Sequence, residues 1–318
     1  MAMRRDVGLV LCFAFLCMSA SAASDEQDRI LNRQTSGVQG KFDCNSLSDP
    51  DQVLGRYLKP GTAMLIGEMH GTSESPQFVG DIACSALRAN LKVAVALEIP
   101  SAEAPKLPSP SEAKDLRIPL RFTDDDFWRD SYQDGRRSAA MRNLIERLRG
   151  WQGESAKGHI PPVRLLTIGA SRELHGAERD RVMASRLAED MKARPDYVYL
   201  VLTGNIHNRL DPGTPWDINY MPMGLALTGF VEKGTSIVSL DPYYYEGGKA
   251  YICQTRDESS CGAVAITKQP RTEASTWDQA PRGMRINSID ARLNLVRGYY
   301  YFTRPVTFSL PAVPRGSS

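Results

Sequence analysis

Unbroken apolar runs of strand length alternate with longer stretches of helical spacing through most of this chain. The runs are AMLIGE (63–68), KVAVALEIP (92–100), RLLTIGAS (164–171), YVYLVLTGN (197–205) and TSIVSLDP (235–242). Between them lie SPQFVGDIACSALRAN (75–90) and ERDRVMASRLAEDMKA (178–193), the second with Val182, Met183, Leu187 and Met191 on one helical stripe. Strands that are apolar on both faces and separated by helices belong in a parallel sheet covered on both sides. The expected fold class is therefore α/β, a doubly wound and mostly parallel sheet.

Two regions depart from this alternation. An insertion at about residues 101–160 opens on a Pro/Ser-rich loop, SAEAPKLPSPSEAKD, and continues as TDDDFWRDSYQDGRRSAAMRNLIERLRGW. This second part predicts one or two helices, with Thr123 to Asp126 as the N-terminal capping signal. Past residue 241 the pattern shortens to β segments, KAYICQ (249–254) and GYYYFTRPVTFSL (298–310), a small C-terminal β-containing segment. Its tyrosine triplets, 243–245 and 299–301, read as strand aromatics. Residues 51–318 are expected to form one α/β domain.

The first residues read as an export signal. Arg4 and Arg5 precede an apolar run from Val7 to Met18, and Ala20 and Ala22 fit a small-residue cleavage site. A run of about twelve residues is short for a bilayer span, which takes about twenty. Residues 1–22 are thus a signal peptide and 23–50 a polar, flexible arm, with a periplasmic or secreted destination and no membrane span once the signal is removed. Of six cysteines, Cys12 and Cys17 fall in the leader, leaving Cys44, Cys84, Cys253 and Cys261. An even set in an exported chain favours disulfides. Cys253 and Cys261 enclose a short polar loop, and Cys44 with Cys84 would tie the arm to the first helix. The alternative for Cys84 is a buried free thiol.

Charge narrows the function classes. Lys and Arg number 39 against 37 Asp and Glu, net +2, and they are interspersed. No basic stripe points to nucleic acid. Nor is there a G-x-S-x-G elbow, an H-E-x-x-H helix, a Walker loop or a G-x-G-x-x-G.

The chemistry gathers at strand ends, where open parallel sheets bind ligands. The first run closes on Glu68 and His70, the second on Glu98 and the fourth on Asn205 and His207. The third leads into a helix starting near Glu178, Arg179 and Asp180. Two of only four histidines therefore follow strands in a G-x-x-H context. Imidazole and carboxylate groups converging this way suit either a divalent metal or an acid/base set. His159 and His175 are expected to be solvated, and Ser171 to be structural or to support the site from behind; Arg136 or Arg137 could meet an anionic substrate, but a solvated helix face is the leading expectation for both. The loop with Trp216, Tyr220, Met221 and Met223 either walls the pocket or packs on the surface.

LIGEMHGT, ALEIP, ERDRVMA and LTGNIHN, in this order and spacing, resemble the superfamily of erythromycin esterase, the TraB/TIKI proteins and the ChaN haem-binding lipoproteins. The resemblance spans roughly residues 60–240. It implies a hydrolase-type site at Glu68, His70, Glu98, Arg179, Asp180 and His207, with metal-dependent peptidases and a Glu/His lactone hydrolase among the relatives. The chain departs from that pattern in lacking the membrane anchor of the TIKI branch, the lipid-anchor cysteine of ChaN-type proteins and in carrying its own insertion.

The leading expectation is an exported hydrolase of a small-molecule or peptide substrate, cleaving an ester, lactone or peptide bond. Water would be activated by the Glu/His set alone, or with zinc, manganese or cobalt held by His70, Glu98 and His207. The alternatives are a haem- or metal-binding protein without catalysis, which has no C-x-x-C-H attachment motif, and a relic that binds a partner through its insertion.

Overall fold

The computed structural model describes residues 44–45, 47–49, 51–100, 126–130, 132–171, 173–255, 257–270 and 281–313. The signal peptide, nearly all of the arm, the Pro/Ser-rich loop and most of the Thr123–Asp126 capping signal lie outside these residues.

Strands β1 (Ala63–Glu68), β2 (Lys92–Pro100), β3 (Val163–Gly169), β4 (Tyr197–Gly204) and β5 (Ile237–Tyr244) fall on the five apolar runs. With β8 (Arg282–Asp290) and β9 (Leu295–Phe302) they build one seven-stranded sheet in the order β3-β2-β4-β1-β5-β9-β8. Every pairing is parallel except β8 with β9. The remaining strands, β6 (Gly248–Cys253) and β7 (Cys261–Ile266), form a separate antiparallel hairpin. Part of the expected C-terminal β segment thus extends the main sheet, because β5 needs a partner on its outer edge and β9 supplies one in parallel.

The helices are α1 (Val53–Tyr57), α2 (Glu74–Arg88), α3 (Asp126–Arg129), α4 (Ala139–Ala156), α5 (Gly176–Ala193) and α6 (Met223–Leu227). All six residues of β1 are buried. Alternation sends Ala63 and Leu65, Ala94 and Ala96, and Tyr199 and Val201 to one face, where Met183 and Leu187 of α5 and Met223 and Leu227 of α6 cover them. The intervening residues point toward α2 and α4, which pack on each other and on the strands. Both faces are covered, which is why the central runs are continuous rather than alternating. Among the described residues no helix is long and apolar enough to cross a membrane.

The insertion resolves into the short α3 and the long α4. Ser138 caps α4, its hydroxyl accepting from the Met141 N–H at 3.2 Å. Two disulfides are present, Cys44–Cys84 and Cys253–Cys261. The first anchors the segment before α1 to the buried side of α2; the second closes the β6–β7 hairpin at a directly paired position.

Candidate active site

The ends of β1, β4 and β2 lie side by side, so residues that are remote in sequence meet there. Glu68 is in register with Gly204 across the β1–β4 pair, and the Asn205 N–H donates to the Glu68 carbonyl at 3.0 Å. His70 and His207 therefore leave adjacent strands at the same level. β4 stands between β1 and β2, and Glu98 reaches across its end to accept the Gly204 N–H at 2.9 Å. Gly204 has no side chain for a good reason. A Cβ there would sit 3.0 Å from His70 Nε2, so the glycine makes room for the imidazole.

Each imidazole is held by its own carboxylate. His70 Nδ1 bonds Glu68 Oε1 at 2.8 Å. His207 Nδ1 lies 2.7 Å from Asp180 Oδ1, an ion-pair contact off the hydrogen-bond axis. Both Nε2 atoms then face Glu98, at 3.6 Å for His70 and 3.7 Å for His207. These gaps exceed a direct hydrogen bond and suit a bridging water. Glu68 and Asp180 are buried, whereas the two imidazoles keep a partly exposed edge.

Glu98 is the electrostatic centre. Its Oε1 accepts from Arg136 Nη1 at 3.1 Å and also from Arg179 Nη2. Burial would push its carboxyl pKa up, but His207, His70, Arg136 and Arg179 together hold it far below the usual range. Arg136 is shared with Asp134, whose carboxyl burial raises and Arg136 lowers, to about 2 in balance. For His70, burial disfavours the imidazolium, yet the Glu68 bond and the charges of Glu68 and Glu98 outweigh it and raise the pKa above 6.5.

Supporting contacts come from tyrosines expected only as strand aromatics and from the loop after His207. The Tyr300 hydroxyl donates to the Gly67 carbonyl at 2.7 Å, and the Tyr244 hydroxyl accepts from the Met69 N–H at 3.3 Å. Asp180 Oδ2 accepts the Met223 N–H at 2.8 Å and also bonds the Tyr220 hydroxyl, raising the pKa of that buried phenol. Tyr220 therefore faces the site, while Trp216 in the same loop is exposed.

All six expected site residues converge. Arg136 and Arg137, expected on a solvated helix face, are instead buried or nearly so, Arg137 being 3% exposed. The cause is the Asp134-Gly135 turn. Gly135, at φ +95°, folds onto the backbone of His70 and Gly71 and carries both arginines inward. That Asp-Gly pair was the signal available in the sequence. His159 is exposed and paired with Glu154, away from the site. His175 occupies the N-cap position of α5, which starts at Gly176, two residues before the expected Glu178.

The chemistry of the donor set decides how well a metal suits this place. Glu98 already accepts from two guanidinium groups and an amide, so its lone pairs are largely committed, and a divalent cation would sit against two fixed positive charges. Among the described residues no group of three or more His, Cys, Asp or Glu side chains is arranged to hold a metal ion. His70, Glu98 and His207 meet, but they fit a metal poorly.

No protein-family model matches the sequence, and no curated protein does. Three solved structures superpose on the chain to different degrees. A Bacillus cereus protein superposes with a TM-score of 0.55 at 9% identity, covering 88% of this chain and 99% of its own. An erythromycin esterase in its open conformation gives 0.44 at 10% identity, over 79% and 92%. A type III effector gives 0.32 at 11%, over 72% and 98%. At such identities the likeness is one of fold: this chain shares the architecture of the Bacillus cereus protein.

Proposed function

We propose that this chain is an exported, metal-free hydrolase of an ester, lactone or peptide bond. The observation that carries the reading is the convergence of two carboxylate-held imidazoles on one buried carboxylate. Glu68 fixes the Nδ1–H tautomer of neutral His70, leaving Nε2 to accept a proton. A water in the gap beside Glu98 gives that proton to His70 as its oxygen bonds the substrate carbonyl carbon. His207, oriented by Asp180 at its Nδ1, then donates a proton from Nε2 to the leaving oxygen or nitrogen as the scissile bond breaks. Arg179 lies next to the reacting carbonyl and offsets the negative charge that develops on its oxygen. Two disulfides suit an oxidising compartment.

The test is turnover of an ester, lactone and peptide panel by wild type, His70→Ala and His207→Ala, with purified protein treated with chelator. Turnover that survives chelation and is lost in both variants supports the reading. Absence of turnover, or variants as active as wild type, overturns it.

A further inference from the structure

Beside Arg136 and Arg179 lies a cavity of about 260 Å³ between the inserted segment and the start of α5, with neither His70 nor His207 in its wall. Its volume falls just under the ~300–1,000 Å³ of pockets for drug-sized ligands, so it accommodates a fragment of a substrate rather than the whole. Its charged wall is uneven. Among the described residues, Arg136, Arg137 and Arg179 line it against a single carboxylate, Asp130. The other acids that hold these arginines, Asp134 and Glu98, do not line it.

The three cations are not equally engaged. Arg137 is bonded to Asp130, Asp134 and the Phe127 and Tyr132 carbonyls. Arg136 divides itself between Asp134 and Glu98. Arg179 bonds Glu98 through Nη2, whereas its Nε is buried without a hydrogen-bond partner among the described residues. The rest of the wall mixes apolar surface from Phe127 and Leu174 with polar groups from Tyr132 and Ser171.

We infer that this cavity is a subsite for a carboxylate on a small apolar group, held by Arg179 and Arg136 one guanidinium width from the reacting centre. The inference rests on the hydrolase reading for its role: it makes the substrate an anionic acyl compound, with its carboxylate in the cavity and its scissile carbonyl at the imidazoles. An arginine fork matches a carboxylate in shape and charge, and the nearby apolar surface selects a carbon skeleton behind it.

Binding can be read without turnover. Benzoate and its neutral isostere benzamide are titrated into the full-length protein by calorimetry, in low and in high salt. The expected result is benzoate binding on the order of tenfold tighter than benzamide, with the preference shrinking in salt. Arg179→Gln should abolish the preference. Ser171 is exposed at the cavity wall, so Ser171→Asp adds a repelling charge at little risk to folding, and Ser171→Asn is its neutral control. Benzoate affinity should fall about tenfold in Ser171→Asp and stay within about twofold in Ser171→Asn. Equal binding of benzoate and benzamide, no binding of either, or equal loss in both Ser171 variants overturns the subsite. A benzoate preference in a protein that hydrolyses nothing leaves the subsite standing and removes the hydrolase; hydrolysis without the preference does the reverse.

Discussion

Removing the Cys44–Cys84 bridge should cost more stability than removing Cys253–Cys261, by an amount the chain itself sets. The two bridges span 40 and 8 residues of sequence. Loop-closure entropy, −2.1 − 1.5R ln n cal/mol/K, then gives about 3.9 kcal/mol for the long loop and about 2.5 for the short one. The constant cancels in the difference, leaving about 1.4 kcal/mol. Cys84 is fully buried in α2, so its loss to alanine also removes packing and widens the gap in the same direction. Urea unfolding of Cys44→Ala/Cys84→Ala and Cys253→Ala/Cys261→Ala, followed by circular dichroism, measures both. With an m-value of about 3 kcal/mol/M, the midpoints should drop by about 1.3 M and about 0.8 M. Equal midpoints, or a larger drop for the short bridge, would refute the entropic account. The bridges would then act through native contacts, and for the short one these are already visible: Tyr251 in β6 donates to the Gly71 carbonyl, next to His70.

Three further outcomes follow from the site. His70 has its pKa raised by Glu68 and Glu98 above the 6.5 of the unfolded chain, so its stabilising contribution is complete below pH 6.5 and disappears as pH climbs through the folded value. The acid limb of activity should accordingly lie above pH 6.5, since the base must be neutral; an NMR titration of the His70 ring with a midpoint at or below 6.5 contradicts this. Asp180→Asn should lower kcat on the order of 10²–10⁴-fold, because His207 loses the carboxylate that orients its ring from 2.7 Å at Nδ1, while the Met223 N–H keeps its acceptor; thermal melting checks that the fold persists, and unchanged kcat rejects the role given to Asp180. Calorimetry with zinc, manganese or cobalt should show no stoichiometric binding that depends on His70 and His207, and binding lost in His70→Ala and His207→Ala would instead support a metal centre.

Much of this arrangement was legible in the residues. The central strands bury both faces, so their runs are continuous, and a polar residue ending such a run stands out: hence Glu68, Glu98 and His207. The sheet order was not legible: consecutive strands joined by a helix usually neighbour each other, which sets β2 beside β1, whereas β4 inserts between them. Arg136 was misread because helical periodicity speaks for α4 and not for the glycine turn before it. Tyr244 and Tyr300 looked like ordinary strand aromatics. Their hydroxyls brace the end of β1 and Met69 just after it only because β5 pairs with β1 and β9 follows one strand further out, and that order links residues more than 170 positions apart.

Gly71 and Gly135 touch backbone to backbone, and both have left-handed φ values, +75° and +95°. A methyl on Gly135 would meet the Gly71 nitrogen at 2.4 Å, and one on Gly71 would meet the Tyr251 carbonyl oxygen at 2.0 Å. With no side chain between them to yield, these segments behave as one mechanical part. His70 and Arg136 are mounted on that part from opposite ends, so the spacing between base and cation is set by main-chain contact and not by rotamers. The inserted turn cannot settle any closer to the histidine, because the two backbones are already in contact there, so the gap between His70 and Arg136 has a fixed lower limit.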